Sequence, residues 1–174
     1  MVDQVALARF MKGAFTDYQE TGGQATPTLV TTHDPTAVVL EIPAILPCVH
    51  LLSRCACALA ETIPKLAEPT VNLYNLELAI QEVAVNIVNH AYAEKEGRIQ
   101  MRLHLSEQPP QLTLFFHDTG VSFDPTVVPA PQLGELQEHG FGLFLVRELM
   151  DEVTYQADAT GNRWKLVKRF PVEA

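Results

Sequence analysis

The chain has 174 residues, of which 47% are hydrophobic, and a formal net charge of −9. This length suits one domain with a sizeable core, whereas a chain this acidic is unsuited to general binding of a nucleic-acid phosphate backbone. No apolar run approaches the roughly 18–20 residues that cross a bilayer, and residues 1–4 lack the basic start and apolar stretch that are typical of a secretory signal. We therefore expect a cytoplasmic protein without a membrane span or direct contact with nucleic acid.

Residues 1–36 are predicted to form an amphipathic arm and a linker. Apolar side chains recur at helical spacing over residues 1–20, which predicts a helix. Glycines and prolines between positions 22 and 35 indicate a linker. The helix has three candidate roles: it pairs two subunits in a homodimer, covers a partner surface, or packs on the domain. Packing is the simplest of these.

The next elements are a short strand and two helices. A β-branched strand is predicted at residues 38–42, a helix at 47–62, and a longer helix at 69–93. The three cysteines of the chain all fall in the first of these helices: Cys48, Cys55 and Cys57. Because their spacing is not C-x-x-C, we expect buried thiols and not metal ligands.

After residue 97 the hydrophobic period changes from helical to alternating. Residues 99–105 and 112–118 predict two strands with one wet face, joined by a turn at Pro109 and Pro110. The remaining predicted elements are a loop at 124–138, a helix at 140–150 and strands at 153–156 and 164–170, joined by a turn at 158–162. Because helices precede a run of strands, we predict an α+β fold in residues 37–174: a two-layer α/β sandwich with a mixed, largely antiparallel sheet.

The long helix carries a polar group of residues opposite its apolar stripe. The stripe that must be buried consists of Leu76, Ile80, Val83, Ala84, Ile87 and Ala91. The opposite side carries Asn75, Glu82, Asn86 and Asn89. Glu82 and Asn86 are surface neighbours at i, i+4 spacing and are able to share a hard cation or a water. The alternative is an ordinary solvent-exposed face. Asparagine is only a mediocre helix former, so three asparagines on this side are a weak argument against that alternative.

The second strand of the alternating pair ends in Asp118. The alternation of the strand places Asp118 on the same side as Leu112 and Leu114. Its carboxylate should therefore be partly buried and should need a hydrogen-bond donor. The exocyclic amino group of a purine is one such donor, and Gly120 would let the backbone approach a flat ring closely. The alternative is an aspartate that merely begins a turn.

A third motif opens the helix predicted at 140–150. Gly140 and Gly142 lie one residue apart at its start, where unpaired N–H groups and the positive dipole end favour an anion. A flexible loop-to-helix junction is the alternative. Taken in order, the three motifs would supply cation ligands, a base pocket and a phosphate cradle to one site.

These motifs resemble the boxes of the GHKL (histidine-kinase-like) ATPase superfamily. The N box is residues 82–92, the first glycine box is 118–124 and the second is 140–153. Their endings at 90–92 and 149–153, with residues 42–44, are most similar to one branch, the bacterial anti-sigma-factor serine/threonine protein kinases. The similarity covers about residues 38–170.

The resemblance implies a histidine-kinase-like ATPase fold with ATP and Mg²⁺ as cofactors. Asn86 would ligate the Mg²⁺, Asp118 would bind the adenine amino group, and Glu82 would orient or deprotonate a serine hydroxyl. The residues expected to contact the nucleotide are Asn86, Asn89, Asp118, Gly120, His139, Gly140, Phe141, Gly142 and Leu143, with the loop at 124–138 as a lid. His139 replaces a glycine of many relatives, and residues 121–146 contain no lysine or arginine. We therefore hypothesise that its imidazole donates to a phosphate.

The function implied by the resemblance is that of a serine protein kinase and anti-sigma factor in transcription regulation. Its phosphoacceptor would be a serine of a small anti-sigma antagonist protein, and a sigma factor would be a second partner. A regulatory module that holds ATP without transferring phosphate is the first alternative, against which Glu82 argues. A detached histidine-kinase catalytic domain is the second, against which the lack of a separate phosphoacceptor-and-dimerisation segment argues.

Overall fold

The protein is represented by a computed structural model that describes residues 28–30, 37–93, 95–122 and 141–173. The strands are β1 (Thr28–Val30), β2 (Ala37–Pro43), β3 (Arg98–Glu107), β4 (Pro110–Asp118), β5 (Glu152–Asp158) and β6 (Gly161–Arg169). The helices are α1 (Leu46–Ala60), α2 (Pro69–Asn86) and α3 (Phe141–Leu149), and a π-helical segment (Ile87–Tyr92) continues α2. None of the helices in these ranges is both long and apolar enough to span a bilayer.

The strands form one six-stranded sheet in the order β1-β2-β3-β4-β6-β5, and every described pair is antiparallel. Alternation along β3 shows its two faces: Ile99 and Met101 are fully buried, whereas Arg98 and Arg102 are exposed. An antiparallel sheet with one covered and one wet face is stable when helices cover the apolar side. The α+β fold is therefore confirmed, with the sheet antiparallel throughout its described part.

Helices α1 and α2 pack on each other and on the apolar face of the sheet. Pro47 lies in the first turn of α1, where its fixed φ suits a helix start. The predicted stripe of α2 and its extension is buried at every position: Leu76, Ile80, Val83, Ala84, Ile87 and Ala91. Truncating one of the fully buried aliphatic side chains, such as Ile80, to alanine would cost about 2–5 kcal/mol.

The cysteines of α1 pack in this core as predicted. Cys48 and Cys55 are fully buried, and the Cys57 thiol donates to the Leu73 carbonyl at 3.6 Å. Burial raises the pKa of Cys55 and of Cys57 to about 12. Within the described ranges, no group of three or more His, Cys, Asp and Glu side chains is placed to hold a metal ion.

Two local predictions are corrected. Residues 28–30, interpreted as linker, form strand β1, which pairs with β2 so that Leu29 lies opposite Leu40. The turn predicted at 158–162 is shorter, because β5 extends to Asp158 and β6 begins at Gly161. Gly161 has a φ of +126°, which favours glycine in so tight a turn. The helix at 1–20, the loop at 124–138 and the division at residue 36 stay predictions, because residues 1–27, 31–36 and 123–140 lie outside the described part.

Candidate functional site

Helix α2 and its π-helical extension hold the first group of predicted site residues. Glu82 and Asn86 lie one helical turn apart on α2, and both side chains are half-buried. Asn89 lies in the π-helical segment and is exposed. A carboxylate and an amide thus stand side by side at the helix surface, as the i, i+4 spacing predicts.

Helix α3 approaches this polar side of α2 at Gly142. A methyl group placed on Gly142 would overlap Oε2 of Glu82 and lie 3.7 Å from Nδ2 of Asn86. The observed position of the Glu82 carboxylate therefore depends on the absence of a Cβ at residue 142. The first N–H groups of a helix lack intrahelical partners and carry the positive end of its dipole. An anion held by the first turn of α3 would consequently lie next to Glu82 and Asn86.

The loop after β4 is attached to the end of the same helical stretch. The N–H of Val121 donates to the Ala91 carbonyl at 2.7 Å, and a Cβ on Gly120 would lie 2.5 Å from that oxygen. The Tyr92 hydroxyl accepts from the N–H of Thr119 at 3.1 Å and donates to the Arg98 carbonyl at 2.8 Å. Glycine at position 120 is thus required by packing against the helix, while its predicted approach to a flat ring stays a prediction.

Asp118, at the end of β4, is only 2% exposed. Its Oδ1 accepts from the Gly120 N–H at 2.9 Å and from Nδ2 of Asn162 at 2.8 Å. Its Oδ2 is buried and has no hydrogen-bond partner among the described residues. Burial raises the pKa of Asp118, and the hydrogen bonds from Asn162 and Gly120 and the charge of His117 oppose that shift. A buried acceptor without a donor is costly, so Oδ2 suits a ligand that brings an N–H group.

The structure brings the three motifs together on one helical stretch. Glu82 and Asn86 face Gly142 near the middle of this stretch, and Gly120 packs on Ala91 at its end. Phe141 and Leu143 flank Gly142 in α3, the first exposed and the second buried. His139, Gly140 and the predicted lid lie outside the described residues, and the binding roles assigned to all these residues stay predictions.

Asn162 contacts Asp118, although the sequence pattern predicts a turn at this position. It is the first inward-facing residue of β6, and it lies opposite Asp118 in the sheet. The pattern that identifies it is alternation: Asn162, Trp164 and Leu166 share the buried face. A polar residue at the start of such a series indicates a buried partner.

A protein-family model described as "Histidine kinase-like ATPase domain" matches residues 49–168 of this chain. The match covers more than half of the chain and includes the described residues of all three motifs. The chain therefore belongs to the histidine kinase-like ATPase family.

Curated relatives indicate the branch within this family. The serine-protein kinases RsbW of Bacillus thuringiensis (strain Al Hakam) and Bacillus cereus (strain AH187) are each 34% identical to this chain over 113 residues. Each alignment covers 59% of this chain and 69% of the relative. The resemblance of the sequence motifs to the serine-kinase branch is thereby confirmed.

Two solved structures align over most of the chain. The RsbU and RsbW domains of Rv1364c from Mycobacterium tuberculosis match with a TM-score of 0.48 and 20% identity, covering 78% of this chain and 33% of that chain. The histidine kinase domain of the blue-light activated histidine kinase from Erythrobacter litoralis EL346 matches with a TM-score of 0.44 and 18% identity, covering 74% and 61%. This chain thus spans a third of the first and less than two thirds of the second.

Proposed function

We propose that this protein is an ATP-dependent serine protein kinase and anti-sigma factor that phosphorylates a small anti-sigma antagonist protein. The observation that carries the proposal is the close approach of Gly142 to Glu82. It sets the start of a helix, which favours phosphate oxygens, beside a carboxylate that suits a general base. The similarity to the RsbW serine-protein kinases supports the transfer of phosphate to serine.

The residues of the site fit ATP. The buried Oδ2 of Asp118 would accept a hydrogen bond from the amino group of adenine. The first turn of α3 would donate N–H groups to the phosphates. Asn86 would offer its amide oxygen to Mg²⁺, which prefers oxygen ligands. When bound, Mg²⁺ neutralises charge that develops on the transferring phosphoryl group.

Phosphoryl transfer requires mainly positioning and charge neutralisation from the protein. The serine oxygen of the antagonist would bond to the γ-phosphorus as the bond from that phosphorus to the leaving oxygen of ADP breaks. Glu82 would accept the hydroxyl proton, so that the products are phosphoserine, ADP and one proton. Whether the antagonist is unphosphorylated would then decide whether a sigma factor is released from this protein.

A transfer assay with two matched variants tests the proposal. The protein is incubated with Mg²⁺, [γ-³²P]ATP and the antagonist, and labelled serine is quantified for wild type, Glu82→Gln and Glu148→Gln. Glu148 is exposed on α3, so the second variant makes the same chemical change outside the site. We expect Glu82→Gln to slow labelling by about 10²–10⁴-fold, because it removes the base, and Glu148→Gln to behave as wild type.

Other outcomes identify the alternatives. ATP that binds to wild type without labelling the antagonist would support a regulatory module that only holds the nucleotide. Label on a histidine would support a histidine-kinase catalytic domain. Wild-type protein that binds no ATP would refute the proposed function altogether.

A further inference from the structure

We propose that Asn162 and Tyr155 form a positioning relay that fixes which oxygen of Asp118 faces the nucleotide base, and that this relay sets a preference for adenine over 6-oxopurines. The inference rests on the proposed ATP site. It concerns two residues that reach the base only through Asp118.

The hydrogen bonds of Asn162 determine the orientation of its amide. Its Nδ2 donates to Oδ1 of Asp118 at 2.8 Å and to the Gly120 carbonyl at 3.2 Å. Its Oδ1 accepts from the Tyr155 hydroxyl at 2.9 Å. A flipped amide would place its oxygen against a carboxylate and a carbonyl, neither of which donates. The hydroxyl of Tyr155 completes the arrangement, because it supplies the donor that the amide oxygen needs.

Because of this orientation, the two carboxylate oxygens of Asp118 differ in their hydrogen bonding. Oδ1 already accepts from Asn162 and from the Gly120 N–H, whereas Oδ2 is buried without a partner among the described residues. Adenine carries an amino donor at C6 that matches Oδ2. Hypoxanthine and guanine carry a carbonyl oxygen there, so two acceptors would meet in a buried place. Unpaired buried polar groups of this kind allow strong discrimination between substrates.

The relay is held in place by the β5–β6 hairpin. Asn162 is 2% exposed and lies directly opposite Asp118 in the register of β4 and β6. Tyr155 packs on Trp164, with ring centroids 4.8 Å apart. A Cβ on Gly161 would overlap the Asp118 carbonyl oxygen, so the hairpin and the end of β4 are in close contact. Two adjacent strands therefore set the direction of the Asp118 carboxylate.

Asn162 also favours the ionised form of Asp118. Burial raises the pKa of Asp118, while the hydrogen bond from Asn162, the Gly120 N–H and the charge of His117 lower it. Two tyrosine hydroxyls lie nearby. The Tyr155 hydroxyl donates to the amide oxygen of Asn162, and the Tyr92 hydroxyl accepts from the N–H of Thr119, the residue after Asp118. Loss of the Asn162 hydrogen bond should raise the pKa of Asp118 further. ATP binding needs the ionised carboxylate of Asp118. When the solution is acidified, ATP binding should therefore begin to weaken at a higher pH in a variant without the Asn162 hydrogen bond than in wild type.

The test compares ATP with inosine triphosphate, which differs at the base and carries the same triphosphate. Dissociation constants are measured calorimetrically from pH 5 to 9 for wild type, Asn162→Leu, Tyr155→Phe and the control Gln156→Leu. Gln156 is exposed in β5, so this control makes a similar polar-to-apolar change away from the relay. Circular dichroism checks that each variant is folded. Tyr155→Phe removes one hydroxyl and provides the test should Asn162→Leu not fold.

We expect wild type and Gln156→Leu to prefer ATP by at least about 100-fold, as expected when a buried acceptor selects its donor. Tyr155→Phe should reduce this ratio about 10-fold and Asn162→Leu about 100-fold, with unchanged affinity for inosine triphosphate. The weakening of ATP binding at acidic pH should move to higher pH in Asn162→Leu. An unchanged ratio and pH profile in folded variants would overturn the relay alone. Wild type that binds no ATP would overturn the proposed function and the relay with it.

Discussion

The Gly142→Ala variant tests whether the rate of serine phosphorylation depends on the close approach of α3 to Glu82 on α2. The added methyl group would overlap Oε2 of Glu82, while its distances of 3.5 Å to Cδ of Glu82 and 3.7 Å to Nδ2 of Asn86 are ordinary contacts. The overlapped oxygen is the far end of a flexible side chain. Glu82 can therefore turn aside by roughly 1 Å to reach a normal van der Waals separation, and no backbone atom has to move.

The expected effects on stability and on rate have opposite directions. Alanine is more favourable than glycine in a helix by up to about 1 kcal/mol, so the free energy of unfolding of Gly142→Ala should stay constant or rise by up to that amount. Displacing a catalytic group by about 1 Å costs about 10²-fold in rate. We therefore expect serine phosphorylation to be about 100-fold slower. The affinity for ATP should change by less than about threefold, or about 0.7 kcal/mol, because the backbone N–H remains.

Single-turnover transfer from [γ-³²P]ATP to the antagonist measures the rate, urea denaturation measures stability and calorimetry measures ATP binding. The decisive control is Gly142→Ala in a Glu82→Ala background, where no carboxylate remains to be displaced. Gly142→Ala should have no further effect on the residual rate there. A further loss of about 10-fold or more in this residual rate, or about 1.4 kcal/mol, would show that the methyl group acts on phosphate binding. That result would refute the displacement of Glu82 as the cause of the slower reaction. A clear loss of stability in Gly142→Ala would refute it as well.

Two further predictions concern the core and the connection between motifs. Tyr92→Phe leaves the Thr119 N–H and the Arg98 carbonyl without the hydroxyl that binds both, so urea denaturation should show a loss of about 1–3 kcal/mol; an unchanged midpoint would show that these bonds contribute no net stability. Because burial raises the pKa of Cys55 from 9.0 to about 12, iodoacetamide at pH 8.5 should alkylate this thiol at least about 100-fold more slowly in folded than in unfolded protein, and faster as the pH rises. Rapid labelling of Cys55 in the folded protein would contradict its burial.

The sequence predicted those parts of the fold that depend on local periodicity. The apolar stripe of α2 and the alternation in β3 and β4 follow from which side chains each element must bury, and this is encoded within the element itself. Strand β1 was missed for the opposite reason. Three residues carry too little periodicity, and their strand conformation depends on pairing with β2, which lies further along the chain.

The same distinction applies to the site. Glu82 and Asn86 were identified from their helical spacing, and Asp118 from its position in an alternating strand. The contact between Asp118 and Asn162 joins residues 44 positions apart, so no local pattern specifies it. The π-helical geometry of Ile87–Tyr92 also escaped prediction, because its residues continue the helical stripe of α2 without a sequence change that distinguishes it.

Strand β6 follows β5 in the chain, yet it lies between β4 and β5 in the sheet. Proteins are synthesised from the N-terminus, so β4 and its aspartate leave the ribosome well before Asn162 does. Until residues 161–169 follow, one flank of β4 is an open strand edge of the kind that favours aggregation. A nascent chain would therefore acquire affinity for ATP at the proposed site only after β6 had inserted between β4 and β5, and nucleotide binding would distinguish chains in which this strand is in place from chains in which it is not.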